Sequence, residues 1–441
     1  VTDASGFPGA PDREFSPASA EELAAILGEA SASSTPVTFK GAATGVTGAC
    51  CPLGGWLIDM RRFRHLEIHP GRASAGAAVS LQKLNAAAHP TGQFFAPDPT
   101  EWTASVGGAI ATNASGSRSF LYGSTRRHVL ALTCVFATGR IRRFTRDDKI
   151  DFDVPTIPLP QTTKSTAGYP LSPGMTWIDL LCGSEGTLAA VTEAELQLLP
   201  LPKDLLTGVI FFPSGEHAVS AVESWRALER LRMLEYLDSG SLDLLRNPFP
   251  EIPASAQAAL LIEQENGDTH AWLDRFDAAH ALDDSWLAAT PADRERFRRF
   301  RHALPELVND RVRRNGFQKL GSDFAVPIAR NREMLAIYHR ELNREFPGRY
   351  VLFGHIGDAH LHANILPSTP AEESRAKELL KELAKTAVSL GGAVSAEHGL
   401  GKRKSHLLSL QYPPHVIEAM RNVKRRLDPN AILGQGNIFP T

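Results

Sequence analysis

The hydrophobic pattern of the chain changes character near residue 204. Upstream, short apolar runs alternate with stretches of helical spacing and with glycine-rich segments. Residues 19–30 are predicted to form a helix, with Ser19 as N-cap and Glu22 three residues later completing a capping box. A strand over Pro36-Val37-Thr38-Phe39 follows, then a second over Trp56-Leu57-Ile58-Asp59-Met60, a third over residues 73–77 and a helical stretch over residues 81–89. Downstream the elements lengthen: a strand over residues 205–212, a helix over 216–231, a strand over Ala258-Ala259-Leu260-Leu261-Ile262 and a helix over 269–282. Strands alternating with long helices predict an antiparallel sheet covered by helices, so the chain reads as an α+β protein. Its 441 residues suit two domains, each able to bury its own core.

Two strand-like runs late in the chain, Tyr350-Val351-Leu352-Phe353-Gly354-His355-Ile356 and Ala359-His360-Leu361-His362-Ala363-Asn364-Ile365-Leu366, flank Gly357-Asp358. That dipeptide predicts a two-residue hairpin turn. His355 then faces His360 and Phe353 faces His362, so three histidines and Asn364 share one face of the sheet. Neutral imidazoles crowded together suit a divalent metal. A short apolar run between glycines, Gly391-Gly392-Ala393-Val394-Ser395-Ala396-Glu397-His398-Gly399-Leu400-Gly401, adds Glu397 and His398. Two histidines and a carboxylate with an open position make a catalytic site for zinc or a similar metal. The competing reading, histidines that are merely hydrogen-bonded, fits any one of them but not the group with Glu397-His398. Beyond it a helix over residues 417–427 is expected to start after Pro413-Pro414 and end at Asp428-Pro429-Asn430, with an extended tail over 432–439.

The glycine-rich segments carry a second kind of chemistry. In Lys40-Gly41-Ala42-Ala43-Thr44-Gly45-Val46-Thr47-Gly48 small residues let successive backbone N–H groups turn toward one point, a concave site that fits a pyrophosphate. The loop lacks both the Gly-Lys-Ser/Thr ending of a P-loop and the spacing that opens a Rossmann helix, and an ordinary tight turn is the alternative. Pro97-Asp98-Pro99-Thr100, Ser105-Val106-Gly107-Gly108-Ala109-Ile110-Ala111-Thr112-Asn113-Ala114-Ser115-Gly116 and Leu121-Tyr122-Gly123-Ser124-Thr125-Arg126 are equally small and polar. They allow the close backbone approach that a large flat cofactor requires, or the tight packing of a helix through small residues. Cys182-Gly183-Ser184-Glu185-Gly186-Thr187-Leu188, leading to Val191-Thr192-Glu193-Ala194, has the same character.

Charge and composition narrow the function. A formal net charge of −2 argues against a nucleic-acid partner, and no apolar run approaches the ~20 residues of a membrane span. The first residues have no signal-peptide core, so a cytoplasmic location is expected, with peripheral attachment to a membrane compatible. The chain starts without Met, so a residue or segment is expected upstream. Cys50, Cys51, Cys134 and Cys182 form no C-x-x-C pattern and are expected to be free, buried thiols.

Taken together at these separations, the three glycine-rich segments resemble the FAD-binding domain of the vanillyl-alcohol oxidase type. The chain is most similar to the FAD-linked D-lactate and D-2-hydroxyacid dehydrogenases related to the glycolate oxidase flavoprotein subunit. The resemblance implies a two-domain flavoprotein: an FAD-binding domain over 1–203, an antiparallel-sheet cap over 204–413 carrying the metal site, and residues 414–441 returning to the FAD domain. It implies non-covalent FAD held by Gly41, Ala42, Ala43, Thr44, Gly45, Thr47, Gly48, Pro97, Asp98, Gly107, Gly108, Thr112, Asn113, Gly116, Gly186 and Val191. By the same resemblance His355, His362 and Glu397 hold a divalent metal, Zn or Mn, His398 is the catalytic base, and Asn364, Arg301 and Lys319 complete the catalytic set. The implied reaction places the substrate carboxylate on Arg301 and Lys319 and its hydroxyl on the metal. His398 takes the hydroxyl proton, hydride passes to flavin N5, and a 2-oxo acid is released. The partners implied are a small 2-hydroxy acid and an electron acceptor (a quinone, a cytochrome or an electron-transfer flavoprotein), with a homodimer compatible. The chain departs from its relatives at Ala49-Cys50-Cys51, where they have small residues without thiols, and at His360, where they commonly carry Asn. The alternatives are a same-fold oxidase of an alcohol or sugar without catalytic metal, a metal-dependent hydrolase, and a non-catalytic flavin-fold subunit.

Overall fold

A computed structural model describes residues 1–440. Helix Ala20–Ala32 begins where expected, Ser19 accepting the Glu22 N–H at 3.2 Å. The reciprocal half of the capping box does not form, because the Glu22 carboxylate reaches one residue further and accepts from the Ala18 N–H at 2.7 Å. This helix buries Leu23, Leu27 and Ala30 against Val37, Trp56 and Ile58 of a three-stranded parallel sheet. Each of the two leucines contributes about 1.5–3 kcal/mol by leaving water. In that sheet Trp56–Asp59 lies between Val37–Lys40 and Arg13–Phe15. Arg13–Phe15 escapes notice in the sequence because it is only three residues long and two of them are charged. Beside it is a five-stranded antiparallel sheet in the order Leu66–His69, Arg72–Gly76, Ala189–Gln197, Val129–Phe136, Ile141–Thr145. The glycine-rich segments lie where the two sheets meet: the first leaves Val37–Lys40, and the third enters Ala189–Gln197.

Beyond residue 204 an eight-stranded sheet takes over, every pairing in it antiparallel. Its central path runs Leu205–Phe212, Ala258–Glu265, Leu231–Asp238, Tyr350–His355, His360–Ile365. The helix expected over 216–231 spans Gly215–Trp225, and Leu231 already belongs to a strand. Arg232, Glu235 and Asp238 break up the apolar run of that strand, which hides it from the hydrophobic pattern. The helix expected over 269–282 stops at Ala278.

The histidine hairpin has the register read from the sequence: His355 faces His360, Phe353 faces His362 and Val351 faces Asn364. Its turn differs. Residues 356–359 form a four-residue connection, a 3-10 turn over Ile356–Asp358 closed by Ala359 at φ +51°. Ile356 and Asp358 are both buried, so the turn folds inward instead of ending as a tight surface loop. The helix expected over 417–427 spans Pro414–Leu427, with Pro413 as N-cap and Pro414 as its first residue, so it opens within the proline pair and not after it. The tail then returns to the first sheet, Val37 donating to Ile432 O at 2.7 Å and accepting from the Gly434 N–H at 2.8 Å. All four cysteines are free, and three of them, Cys51, Cys134 and Cys182, are buried. Among the described residues no helix is long and apolar enough to cross a membrane.

Candidate active site

A cleft of about 340 Å³ opens where the glycine-rich segments converge, and it runs to Glu397 and His398. Gly41, Ala42, Ala43, Thr44, Gly45, Thr47, Gly107, Gly108, Thr112, Gly116, Gly186 and Val191 all line it. Among the described residues no backbone N–H from residue 42 to residue 47 has an acceptor within the protein. A run of free N–H groups facing a cleft is the donor set that a pyrophosphate satisfies, so the residues present fit FAD. Gly116 is required here, since a Cβ on it would lie 1.8 Å from Asp98 O.

Four expected cofactor residues stand outside the lining and act as supports. The Gly48 N–H donates to Asp3 Oδ2 at 2.7 Å, and Asn113 Oδ1 accepts the Arg126 N–H at 2.9 Å. Asp98 accepts from Arg118 at 2.9 Å while Arg118 forks onto Glu263 at 2.8 and 3.1 Å, tying this segment to the larger sheet. Pro97 is buried directly before it. Cys50 lines the cleft, and burial, Cys51 and Asp3 push its thiol up to about 12, so it stays protonated at neutral pH.

At the cleft's end the histidine hairpin meets the Glu397-His398 loop. His355 Nε2 is 3.1 Å and His362 Nε2 3.4 Å from Glu397 Oε1. Of the other ring nitrogens, His362 Nδ1 lies 3.2 Å from Ser322 O in a hydrogen bond, while His355 Nδ1 sits 2.5 Å from Glu235 Oε1 without hydrogen-bond alignment. The Ser322 carbonyl fixes the Nδ1–H tautomer of His362, which turns its Nε2 lone pair toward Glu397, and His355 Nε2 comes to the same oxygen. Three acceptors facing one point fit a divalent cation, with its usual outer carboxylate and carbonyl already in place. Charge agrees, since the contacts of the cluster join four carboxylates (Glu235, Asp323, Asp358, Glu397) to two permanent cations (Lys164, Arg301) and to His355. Burial raises the pKa of Glu397, but His355 and Lys164 together hold it well below the carboxylate range. Burial lowers that of His355, yet Glu397 and Glu235 lift it to about 9.

His398 stacks on His362, ring centroids 5.2 Å apart and planes at 20°. Its Nδ1 is 3.3 Å from Asp323 Oδ1 and its backbone N–H donates to Asp323 Oδ2 at 3.0 Å. Burial, Lys404 and His362 depress its pKa against the pull of Asp323, so the ring is neutral at neutral pH with Nε2 free to accept a proton. Asn364 is buried on the same face and donates to His362 O at 3.2 Å, bracing the hairpin. Arg301 reaches the cluster from helix Pro291–Arg314, but its fork is taken by Glu235 through Nε and, at 3.2 Å, through Nη2. Lys319 has no hydrogen bond or ion pair among the described residues, and the contacts that join the cluster do not reach it. Desolvation and Lys404 lower its pKa.

Sequence reasoning misses four residues that organise the site. Glu235 links Arg301 to His355, and Asp323, fully buried, links His360 to His398. Lys164, from a long irregular segment, sits 3.2 Å from Asp358 and 3.4 Å from Glu397. Glu185 accepts from the Leu400 N–H at 2.8 Å and the Gly401 N–H at 2.6 Å, which holds the Glu397-His398 loop against the glycine-rich half. Charged residues inside a buried strand, Arg232, Glu235 and Asp238, are the only signal for Glu235, and Lys164 has none.

A cleft with a pyrophosphate cradle at one end and a neutral histidine beside a carboxylate–imidazole cluster at the other defines an FAD-dependent oxidoreductase, and comparison with known proteins agrees. The family model described as FAD linked oxidases, C-terminal domain, matches residues 201–438, and that described as FAD binding domain matches residues 11–145. The chain belongs to this family of FAD-linked oxidases. D-lactate dehydrogenase of Archaeoglobus fulgidus is 33% identical over 430 residues, covering 96% of this chain and 90% of that protein. Glycolate oxidase subunit GlcD of Bacillus subtilis is 29% identical over 443 residues, covering 97% and 89%. D-lactate dehydrogenase [cytochrome] of Arabidopsis thaliana is 26% identical, covering 98% and 74%. A solved structure of alkyldihydroxyacetonephosphate synthase superposes with a TM-score of 0.68 at 17% identity, covering 96% of this chain and 76% of that one. The fold is the two-domain vanillyl-alcohol oxidase type, an FAD-binding domain with an antiparallel-sheet cap.

Proposed function

We propose that this enzyme is a dehydrogenase that oxidises a small D-2-hydroxy acid to its 2-oxo acid. The observation that carries the reading is the convergence of His355 Nε2 and His362 Nε2 on one oxygen of Glu397, beside His398, at the end of the cleft. Relatives named D-lactate dehydrogenase and glycolate oxidase support the substrate class. FAD, bound non-covalently along the cleft, supplies the acceptor for the hydride of the substrate's α-carbon. A divalent cation, Zn or Mn, on His355, His362 and Glu397 supplies a Lewis acid that makes the α-hydroxyl more acidic.

His398 Nε2 takes the hydroxyl proton, while Asp323 keeps the Nδ1–H donated away from the substrate. Arg301 keeps Nη1 for the substrate carboxylate once Glu235 has taken Nε and Nη2, and Lys319 is the second cation of this reading. Asn364 and Glu235 hold the hairpin and Arg301 in place, so neither needs to reorganise when substrate arrives. The division into 1–203, 204–413 and 414–441 is supported by the change of sheet after Leu199–Pro200 and by the return of the tail to Val37. Electrons leave to a quinone, a cytochrome or an electron-transfer flavoprotein, and the Arabidopsis relative is named for a cytochrome.

The test is anaerobic bleaching of the flavin by a panel of D- and L-2-hydroxy acids, before and after chelation and with Zn or Mn restored. One D-acid should bleach it, the bleaching should vanish with the metal, and re-addition should restore it. A yellow protein that no hydroxy acid bleaches sinks the substrate class, and bleaching that survives chelation sinks the metal's role.

A further inference from the structure

We propose that His360 is a fourth protein ligand of the divalent cation, binding through Nδ1 and completing a three-histidine, one-carboxylate donor set. The inference rests on the metal reading above and adds to it a residue of this chain. His360 is wholly buried, and its Nε2 lies 3.1 Å from Asp323 Oδ1. A carboxylate at that distance accepts, so Nε2 carries the ring proton and the lone pair is on Nδ1. That Nδ1 is buried and has no hydrogen-bond partner.

A buried acceptor left unpaired costs about 1–3 kcal/mol, and such an atom in a native core calls for an explanation. The surroundings supply no donor. The rings nearest His360 are His362, 4.5 Å away between centroids, and His355 at 5.4 Å; His362 Nδ1 is directed at Ser322 O and His355 Nδ1 lies beside Glu235, so neither Nδ1 is turned to His360. Donor atoms from His355, His360, His362 and Glu397 all lie within 4.8 Å of one another. A divalent cation at their centre takes one donor atom from each of the four and gives the stranded His360 Nδ1 its partner.

Two consequences follow from the donor set. Three imidazoles and one carboxylate favour zinc, cobalt and their neighbours over the oxygen-seeking magnesium, calcium and manganese. Asp323 also becomes common to the metal site and the proton acceptor, because the same Oδ1 faces His360 Nε2 and His398 Nδ1. A carboxylate behind a ligating imidazole orients the ring and raises its basicity.

The test uses the FAD-loaded enzyme stripped of metal with a chelator and then titrated with Co²⁺ and with Zn²⁺ against a chromophoric chelator. His360→Asn should bind Zn²⁺ at least about tenfold more weakly, the low end of the range for losing a supporting ligand. Its Co²⁺ bands should shift in energy and intensity while FAD content stays that of the wild type. X-ray absorption of the zinc-loaded wild type, which needs no variant, should fit three imidazoles. Equal Zn²⁺ affinity with unchanged Co²⁺ bands, or an absorption fit with two imidazoles, overturns the assignment of His360. A wild-type protein that takes up no metal at all overturns the metal reading itself, which separates the two failures.

Discussion

Replacing Asp323 by Asn tests what orients the proposed base, because every group that faces this carboxylate is a donor. Oδ1 meets His360 Nε2 at 3.1 Å and His398 Nδ1 at 3.3 Å, and Oδ2 meets Ser395 Oγ at 2.7 Å and the His398 N–H at 3.0 Å. An amide has the same shape but only one oxygen. If its NH₂ turns toward the histidines, His398 must accept at Nδ1, its proton moves to Nε2, and the lone pair that should take the hydroxyl proton is gone. If the NH₂ turns the other way it opposes the His398 backbone N–H, which cannot turn aside as the Ser395 hydroxyl can. Either arrangement loses at least one hydrogen bond to a charged group, about 1.5–3 kcal/mol of stability. Loss of a correctly poised base lowers the chemical step by about 10²–10⁴. The assay is anaerobic stopped-flow reduction of the flavin by whichever hydroxy acid bleaches the wild type, read together with FAD content. Because Asp323 acts through His398, the double variant Asp323→Asn/His398→Asn should be no slower than His398→Asn alone. A fully FAD-loaded Asp323→Asn enzyme that reduces within about threefold of the wild type, a barrier change below 1 kcal/mol, would refute the reasoning.

Other expectations concern packing and charge. Gly116→Ala puts a methyl group 1.8 Å from Asp98 O, so the 97–100 segment must move. Overpacking of about 1–3 kcal/mol should appear as a lower melting temperature and a lower ratio of flavin to protein absorbance, and unchanged values of both would contradict it. Lys164→Met strands Asp358 and Glu397 without their buried cation, and thermal or chemical unfolding should show a loss of about 3–5 kcal/mol. Glu185 gives a pH signature: burial raises its pKa from 4.5 to about 7, so the folded state disfavours its charged form and loses stability as pH climbs between those values. The unfolding free energy of the wild type minus that of Glu185→Gln should fall by about 3 kcal/mol between pH 4.5 and 8, and a flat difference would count against it.

The hairpin register, a proline at the start of the last helix and the small residues that line the cleft are legible in the sequence because each rests on a local rule: alternation along strands, proline at a helix start, small residues where backbone borders a cleft. Two-residue periodicity alone puts His355, His360 and His362 on one face once the hairpin pairs, and the observed register agrees. What fails to show depends on contacts distant along the chain. The hairpin turn departs from its local signal because Asp358 is drawn inward to Lys164, 194 residues away, and no local preference encodes that partner. Glu235 sits in a strand whose charges look like a helix face in sequence, yet it is buried because Arg301 and His355 compensate it. Family resemblance points to Arg301 as a substrate residue, but nothing in its arginine-rich helix reveals that Glu235 occupies most of its fork.

The loop bearing Glu397 and His398 is the point where the two domains act as one. From the cap, Asp323 accepts the His398 N–H, and its carbonyl accepts the Ala396 N–H at 2.8 Å. From the FAD-binding side, Thr166 Oγ1 accepts the Gly399 N–H at 3.1 Å, Glu185 takes those of Leu400 and Gly401, and Thr47 O takes those of Lys402 and Arg403 at 3.0 Å each. Thr47 also belongs to the run of unbonded N–H groups that faces the cleft, so that run and the Glu397-His398 loop are tied together at one residue. The loop has no regular secondary structure of its own to fix its shape, and its backbone N–H groups are satisfied by side chains and carbonyls from both sides instead. Gly399 at φ +73° and Gly401 at φ +49° let it fold closely onto Glu185 and Thr47, where a Cβ would fall 2.8 Å and 2.3 Å from their oxygens. The position of His398 relative to the cleft is therefore set by glycines and long-range hydrogen bonds more than by the hairpin that carries its histidine neighbours.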